Sequence, residues 1–410
     1  MPLAPDHDLS KTLRGNYSTS AARPKTPSGG GTMRIRNDHT LELDIATRTV
    51  GLNEDIHIIQ PGEGYHLFEY FQRHAAVFLD FPDLQLSERR KPTREEARVQ
   101  IVRSLAIRDW HWEEKPLPAP SRDVADYVDD TVNRRLGRYV GAIETLYYDL
   151  KPGSIVVVPG PGFDDPVLLG EITGPAHYVK WKPLYDGDRM LVRSVEWLAD
   201  RPKASFKPEV CAKFGTPNPI MILERGLREQ IVRATYDQFV FVNEVSSRLR
   251  TSEQEFSTLD DYNIQTFVNY AAGVLAAIED GYRGAELELG DAIQFLEKRH
   301  DLIPELTQNI QSPGYQRLHS SSLTPLVIGA LLTLATSGEA SVVAGKPAMP
   351  TVVNKSAKSG DRCAIEVSEH AARAMRFMKL DEWRRVCAAV RSAKARTGLS
   401  TSMTVHRTRN

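Results

Sequence analysis

The residue types that most often carry catalysis are all present in this chain, but their spacing does not suit the chemistry. Val343-Ala344-Gly345-Lys346 has the Gly-Lys pair of a phosphate loop. The preceding Gly338 lies seven residues upstream instead of five, and Pro347 replaces the hydroxyl residue that would ligate magnesium. Pro159-Gly160-Pro161-Gly162 opens no helix, so it is not a dinucleotide fingerprint. The 11 histidines form no H-x-x-x-H pair, and His74, His111, His177, His300, His319 and His370 are scattered, which assigns no metal site. A magnesium nuclease needs an acidic residue followed by Asp/Glu-x-Lys on a strand. Glu209-Val210-Cys211-Ala212-Lys213 has the wrong spacing for this, and Ile365-Glu366-Val367-Ser368 lacks the lysine. The G-x-S-x-G signature of a serine nucleophile is absent. No catalytic residue, metal or cofactor is assigned, and the reading leans against an enzyme.

Three cysteines, Cys211, Cys363 and Cys387, stand far apart in no C-x-x-C pair. That set argues against a disulfide scaffold and a zinc ribbon, and it suits reduced thiols in a cytoplasmic protein. The first residues, Met1-Pro2-Leu3-Ala4-Pro5 with Asp6 and Asp8 behind them, lack the apolar core of a signal peptide. The longest apolar run, 326–335, is about half the roughly 20 residues that span a bilayer, so no membrane partner is expected. The formal net charge of -1 predicts no polyanionic partner from bulk charge. Residues 351–410 nevertheless hold 13 Lys+Arg against 5 Asp+Glu, a basic segment that could meet nucleic acid or an acidic partner as readily as it could form a solvated helix face.

At 410 residues the chain suggests two or three domains. Residues 1–32 are rich in Ser, Thr, Pro and Gly and read as a disordered leader. Alternation of apolar and polar residues in 33–36 and 41–45 predicts a hairpin within 33–64. Residues 65–71 predict a helix and 75–79 a strand. Thr93 and Glu96 form a capping-box pair before an apolar helical spacing, and 122–136 predicts a second helix. Short β-branched runs at 154–158, 167–172, 190–197 and 219–223, punctuated by Gly and Pro turns, predict strands closing into a small barrel. Beyond Glu224 the pattern predicts helices at 227–249, 259–278 and 285–299, then a strand pair at 307–318. One more helix opens at Thr324-Pro325. Residues 343–360 read as a linker or loop, and 361–410 as a basic helical segment with a tail. The expected fold is thus α+β: a barrel domain over 65–223 with flanking helices, followed by a mainly helical region over 224–342.

The order of motifs in 65–223 resembles the PUA-like, EVE-like modules found at the N-termini of prokaryotic restriction systems. The features that carry it are an opening helix and strand over 68–83, then Arg94-Glu95 at a helix start. Lys151-Pro152-Gly153-Ser154 follows, leading into Ile155-Val156-Val157-Val158, with Gly170-Glu171-Ile172-Thr173-Gly174 after it. Arg193-Ser194-Val195-Glu196-Trp197-Leu198 and then Phe206 with 220–223 complete the series. Ser154 stands where such modules usually carry Asp, and the loop 160–165 is Pro-rich, which puts the shape of a pocket there in doubt.

The resemblance implies a domain that takes an extruded or modified base into a cage of aromatic side chains, stacking on its face and reading its edge. The residues available for the cage are Trp110 and Trp112, and Tyr178, Trp181 and Tyr185, with Arg193 for a phosphate or base edge. Trp197, in an apolar strand, reads as core. The expected function is nucleic-acid binding, DNA before RNA, in a sensor of a prokaryotic defence or restriction system, with a protein partner on the helical C-terminal region. Two other readings stay open. One is a non-catalytic interaction or effector protein using the barrel as scaffold. The other is a cryptic nuclease whose carboxylates converge from distant segments.

Overall fold

The computed structural model describes residues 39–130, 136–309, 313–337, 350–356 and 361–409. The expected leader, most of the expected linker and the Gly345-Lys346 pair lie outside them. Fourteen strands form three sheets among the described residues. The first has six strands in the order β4 (Ala76–Val77), β7 (Arg189–Pro202), β6 (Pro166–Lys180), β5 (Ile155–Val158), β3 (Ile56–Ile59) and β8 (Ile220–Ile222). The second runs β11 (Glu305–Asn309), β12 (Gly314–Ser320), β10 (Glu244–Thr251), β9 (Gln238–Phe241) and β2 (Arg48–Val50). The third joins β13 (Thr351–Val353), β1 (His39–Asp44) and β14 (Thr404–Arg409). Each sheet is mixed, with a parallel pair at β3/β5, β2/β9 and β1/β13 respectively.

The helices are α1 (Phe68–His74), α2 (Arg94–Trp112), α3 (Leu136–Ile143), α4 (Pro208–Phe214) and α5 (Arg228–Thr235). There follow α6 (Thr258–Glu279), α7 (Leu289–Lys298), α8 (Thr324–Thr336), α9 (Arg362–Phe377) and α10 (Leu380–Thr397). None of them is long and apolar enough to cross a membrane. The capping box expected at Thr93 and Glu96 starts α2, with Thr93 accepting from the Glu96 backbone and Glu96 from that of Thr93.

The expected barrel is not formed. The edge strands of the six-stranded sheet, β4 and β8, do not meet, and the sheet stays open. The reason lies in β5, whose four residues are all buried but face alternately into two cores. Val156 and Val158 join Phe71, Phe78, Ile101 and Val140 beneath α1, α2 and α3. Ile155 and Val157 join Phe214, Ile231 and Phe239 from α4, α5 and β9. A sheet covered on both faces carries continuous apolar runs, and a barrel strand would instead turn one face outward. Gly174-Pro175, expected as a turn, is a bulge inside the continuous strand β6, where the register against β7 shifts between Ile172 and Ala176.

Among the described residues, the region after Glu224 carries six helices and also six strands. The helix expected over 227–249 ends at Thr235, and the chain continues as the β9–β10 hairpin. β-branched and aromatic residues in Phe239-Val240-Phe241 favour a strand there. One arm of the expected hairpin, 33–36, lies outside the described residues, and the described part of 33–64 supplies three strands to three different sheets. A third core gathers α6, α8, α9 and α10 against Leu43, Val245, Leu249 and Leu318.

Helices α6 and α7 approach so closely that Gly273 has no room for a side chain. A Cβ there would sit 2.3 Å from the backbone oxygen of Ala292. Gly273→Ala is therefore expected to destabilise the chain by about 1–3 kcal/mol, the usual range for overpacking. Urea unfolding of the full chain measures it, and unchanged stability would show that α7 yields freely.

Candidate functional site

A cavity of about 440 Å³ opens beside the free end of β4, within the roughly 300–1,000 Å³ of small-molecule sites. Its aromatic walls are Tyr65, Phe81 and Tyr139, and its polar groups include Asp80, Arg108, Arg138 and Gln60. Each wall comes from a different element. Tyr65 ends a short turn before α1, Asp80 and Phe81 follow β4, Arg108 lies on α2, and Arg138 and Tyr139 lie on α3. Phe81 and Tyr139 meet edge to face at 5.3 Å, and the Arg138 guanidinium lies 4.8 Å from the Tyr139 ring.

Asp80 is the pivot of the site, with its side chain only 10% exposed. One carboxylate oxygen, Oδ1, accepts a short hydrogen bond from the Tyr185 hydroxyl. The other, Oδ2, is buried and accepts none. His66 Nε2 stands 3.4 Å from Oδ2 and Arg108 Nη1 3.9 Å, close enough for charge contact but off hydrogen-bond geometry. The Arg108 guanidinium is held by Asp109 at 2.7 Å and by the Trp112 ring at 4.5 Å. Burial, then the Asp80 carboxylate, pushes the Tyr185 phenol well above its ordinary pKa, so it stays a donor. Tyr65 and Tyr185 both hold left-handed backbone, with φ of 62° and 51°. Such strain costs of order 1–3 kcal/mol per residue and concentrates at binding sites.

The residues expected to form the cage do not converge as one. Tyr185 is buried beneath the pocket and holds Asp80. Trp112 is exposed, stacked on Arg108 and edge-on to His66 at 5.5 Å, so it supports the rim. Trp110 donates its indole N–H to Pro116 O at 2.8 Å. Tyr178 is tied through its hydroxyl to the backbone of Leu84 and Leu86. Trp181 stacks on His74 at 4.5 Å and packs against Phe78, away from the cavity lining. Arg193 is 2% exposed, and its guanidinium donates to the carbonyls of Gly174, Leu146 and Leu150. It fastens β7 to the bulge of β6 and to the turn after α3. Trp197 is half-buried, with its indole N–H on Phe71 O at 3.0 Å.

Tyr65, Asp80, Phe81, Arg108, Arg138 and Tyr139 were not singled out in the sequence. The available signal was Asp80 itself, a carboxylate inside the apolar run Ala76-Val77-Phe78-Leu79-Asp80-Phe81.

A wider cleft of about 650 Å³ lies against the second sheet. Its charges answer each other: Arg233 pairs with Glu229 at 3.1 Å and Glu244 at 3.0 Å, and His319 lies 3.8 Å from Glu305. Its carboxylates gather without a lysine among the lining residues. No group of His, Cys, Asp or Glu among the described residues is placed to hold a metal. Burial pushes the Cys363 and Cys387 thiols up to about 12, away from the reactive thiolate. Comparison with protein-family models, with curated proteins and with solved structures finds no match for this chain.

Two outcomes follow from these contacts. Arg193→Ala strands three buried carbonyls and is expected to cost roughly 3 kcal/mol in urea unfolding, with ligand affinity of the folded protein unchanged. Lost affinity at intact stability would return Arg193 to the binding surface. For His66, burial lowers the pKa, but the Asp80 carboxylate and the Glu63 carbonyl outweigh it, and the net shift is upward. The stability this adds is complete below the unfolded value near 6.5 and is lost as pH rises through the folded value. An NMR titration of His66 is expected to show a midpoint above about 6.5 that falls in Asp80→Asn. A midpoint indifferent to that substitution would separate the two groups.

Proposed function

We propose that this chain binds nucleic acid by receiving one unstacked base in the cavity between Tyr65, Phe81 and Tyr139. The observation that carries the reading is the buried Asp80 Oδ2, an acceptor with no hydrogen-bond donor of its own, set among aromatic rings. A buried carboxylate oxygen left unmatched is costly, and a planar ligand with an amino N–H on its edge would satisfy it. Bases fit this chemistry: each has a face for stacking and an edge for hydrogen bonding. Arg108 and Arg138 stand at the same cavity for the negative charge of the attached backbone. The order of motifs that resembles base-reading modules points the same way, although the sheet that carries the cavity is open.

In this reading Asp80 reads the base edge, Tyr139 and Tyr65 supply stacking faces, and Tyr185 and His66 fix the carboxylate. Fluorescence anisotropy of the full chain with single-stranded oligonucleotides tests it. Tyr139→Ala and Asp80→Asn are each expected to weaken binding by about 1–3 kcal/mol, as the loss of base stacking does. Asp80→Asn should lose most against bases that carry an amino group. Affinity unchanged by both substitutions would overturn the assignment.

A further inference from the structure

Strands β10 and β12 of the second sheet place two arginines directly opposite each other, Arg248 against Arg317. Their neighbours in sequence, Leu249 and Leu318, belong to the helical core, so by strand alternation the arginines lie on the other face. Both are buried, at 8% and 5% exposure. Like charges in cross-strand register are destabilising, and buried charges need partners. Arg317 has them: it donates to Ser246 Oγ at 2.7 Å and to the carbonyls of Arg233 and Tyr236 at 2.9 and 3.1 Å.

Arg248 does not. Its Nε is buried without a hydrogen-bond partner, its ring contact is the Tyr315 face at 3.8 Å, and its nearest carboxylate oxygen, on Asp237, is 3.5 Å away. That same carboxylate is held by Arg250 at 2.6 Å. Asp237 is the one carboxylate in ion-pair contact with either arginine among the described residues. A further cation, Arg201 at the end of β7, comes close enough, after burial, to disfavour the charge on Arg248. Arg250 is 53% exposed, so the cluster opens to solvent. Two guanidinium groups, those of Arg248 and Arg250, thus share one carboxylate, and the Nε–H of the more buried one is unused.

We propose that Arg248 and Arg250 form a phosphate-binding site on the second sheet. A tetrahedral phosphate presents several oxygens to converging guanidinium forks, where a carboxylate offers two. Its charge also balances the excess that Asp237 leaves. The source of the phosphate is either a nucleic-acid backbone or a small phosphorylated compound. The site does not depend on the base-binding cavity and uses none of its residues.

The test uses the full chain and two probes, inorganic phosphate and an abasic single-stranded oligonucleotide, which keeps the phosphodiesters and removes the bases. Millimolar phosphate is expected to raise the melting temperature over chloride at matched ionic strength, since a ligand of the native state stabilises it. Arg250→Gln should reduce that rise, and Arg248→Gln should abolish it. Should Arg248→Gln fail to fold, Arg250→Gln carries the test at an exposed position. If the phosphate belongs to a backbone, the abasic strand binds, on the order of tenfold more weakly in Arg250→Gln. The salt dependence would then flatten by about 0.7 per lost contact. A phosphate response without abasic binding assigns the site to a small phosphorylated compound. Asp80→Asn should leave both probes unaffected, which separates this site from the cavity. No phosphate response, or one that survives in Arg248→Gln and Arg250→Gln, overturns the proposal.

Discussion

Ile155, Val156, Val157 and Val158 are each fully buried, and they point in alternation into two different cores. Each such side chain contributes about 1.5–3 kcal/mol relative to exposure, and both contributions require the sheet to be covered on both faces. Helices α1, α2 and α3 cover one face, while α4, α5 and β9 cover the other. The second face thereby joins the two larger sheets into one compact unit spanning His39–Asn410. A polar link completes the joint: Arg48 of β2 and Tyr236 before β9 both donate to Glu171 of β6, at 2.8 and 2.5 Å. The first face positions the candidate cavity, because α1, α2 and α3 meet the end of β4 there.

Local signals in the sequence were legible, and long-range ones were not. The Thr93–Glu96 capping box, the turn before Ile155 and the β-branched runs of β5, β6 and β7 are encoded within a few residues, and they form where expected. Strand β3 lies about a hundred positions before its parallel partner β5, and no local pattern announces such pairing. The continuous apolar run of β5 fits equally a barrel wall or a doubly covered sheet, and only the placement of α4, α5 and β9 decides between them. The overlong helix expected over 227–249 arose because Leu227, Ile231 and Val232 keep helical spacing up to Thr235. Beyond that point the apolar residues still match a helix, but their β-branched and aromatic types favour the strand they form.

The candidate site was legible in part. Of the aromatic residues named in the sequence, Tyr185 and Trp112 touch groups of the cavity wall, while Trp110, Tyr178 and Trp181 bond to backbone or stack around the core. Tyr178 and Arg193 show why: a polar tip on a large side chain serves a buried carbonyl as well as it serves a ligand, and the sequence does not distinguish the two uses. Asp80 is different in kind. A carboxylate in an apolar run must find donors, and only one of its two oxygens does.

The same reasoning separates the buried arginines. Arg193 and Arg317 spend their donors on three acceptors each, which is what a structural guanidinium does when no carboxylate reaches it. Arg248 is as buried as they are in practical terms, but its surroundings supply an aromatic face and a distant, shared carboxylate. Burial without satisfaction raises the free energy of the ligand-free state, and any anion that restores the missing contacts gains by that amount. Asp80 and Arg248 thus present opposite halves of one argument, an acceptor without a donor and a donor without an acceptor. A nucleotide, with an amino edge at one end and a phosphate at the other, contains the chemical group that each lacks.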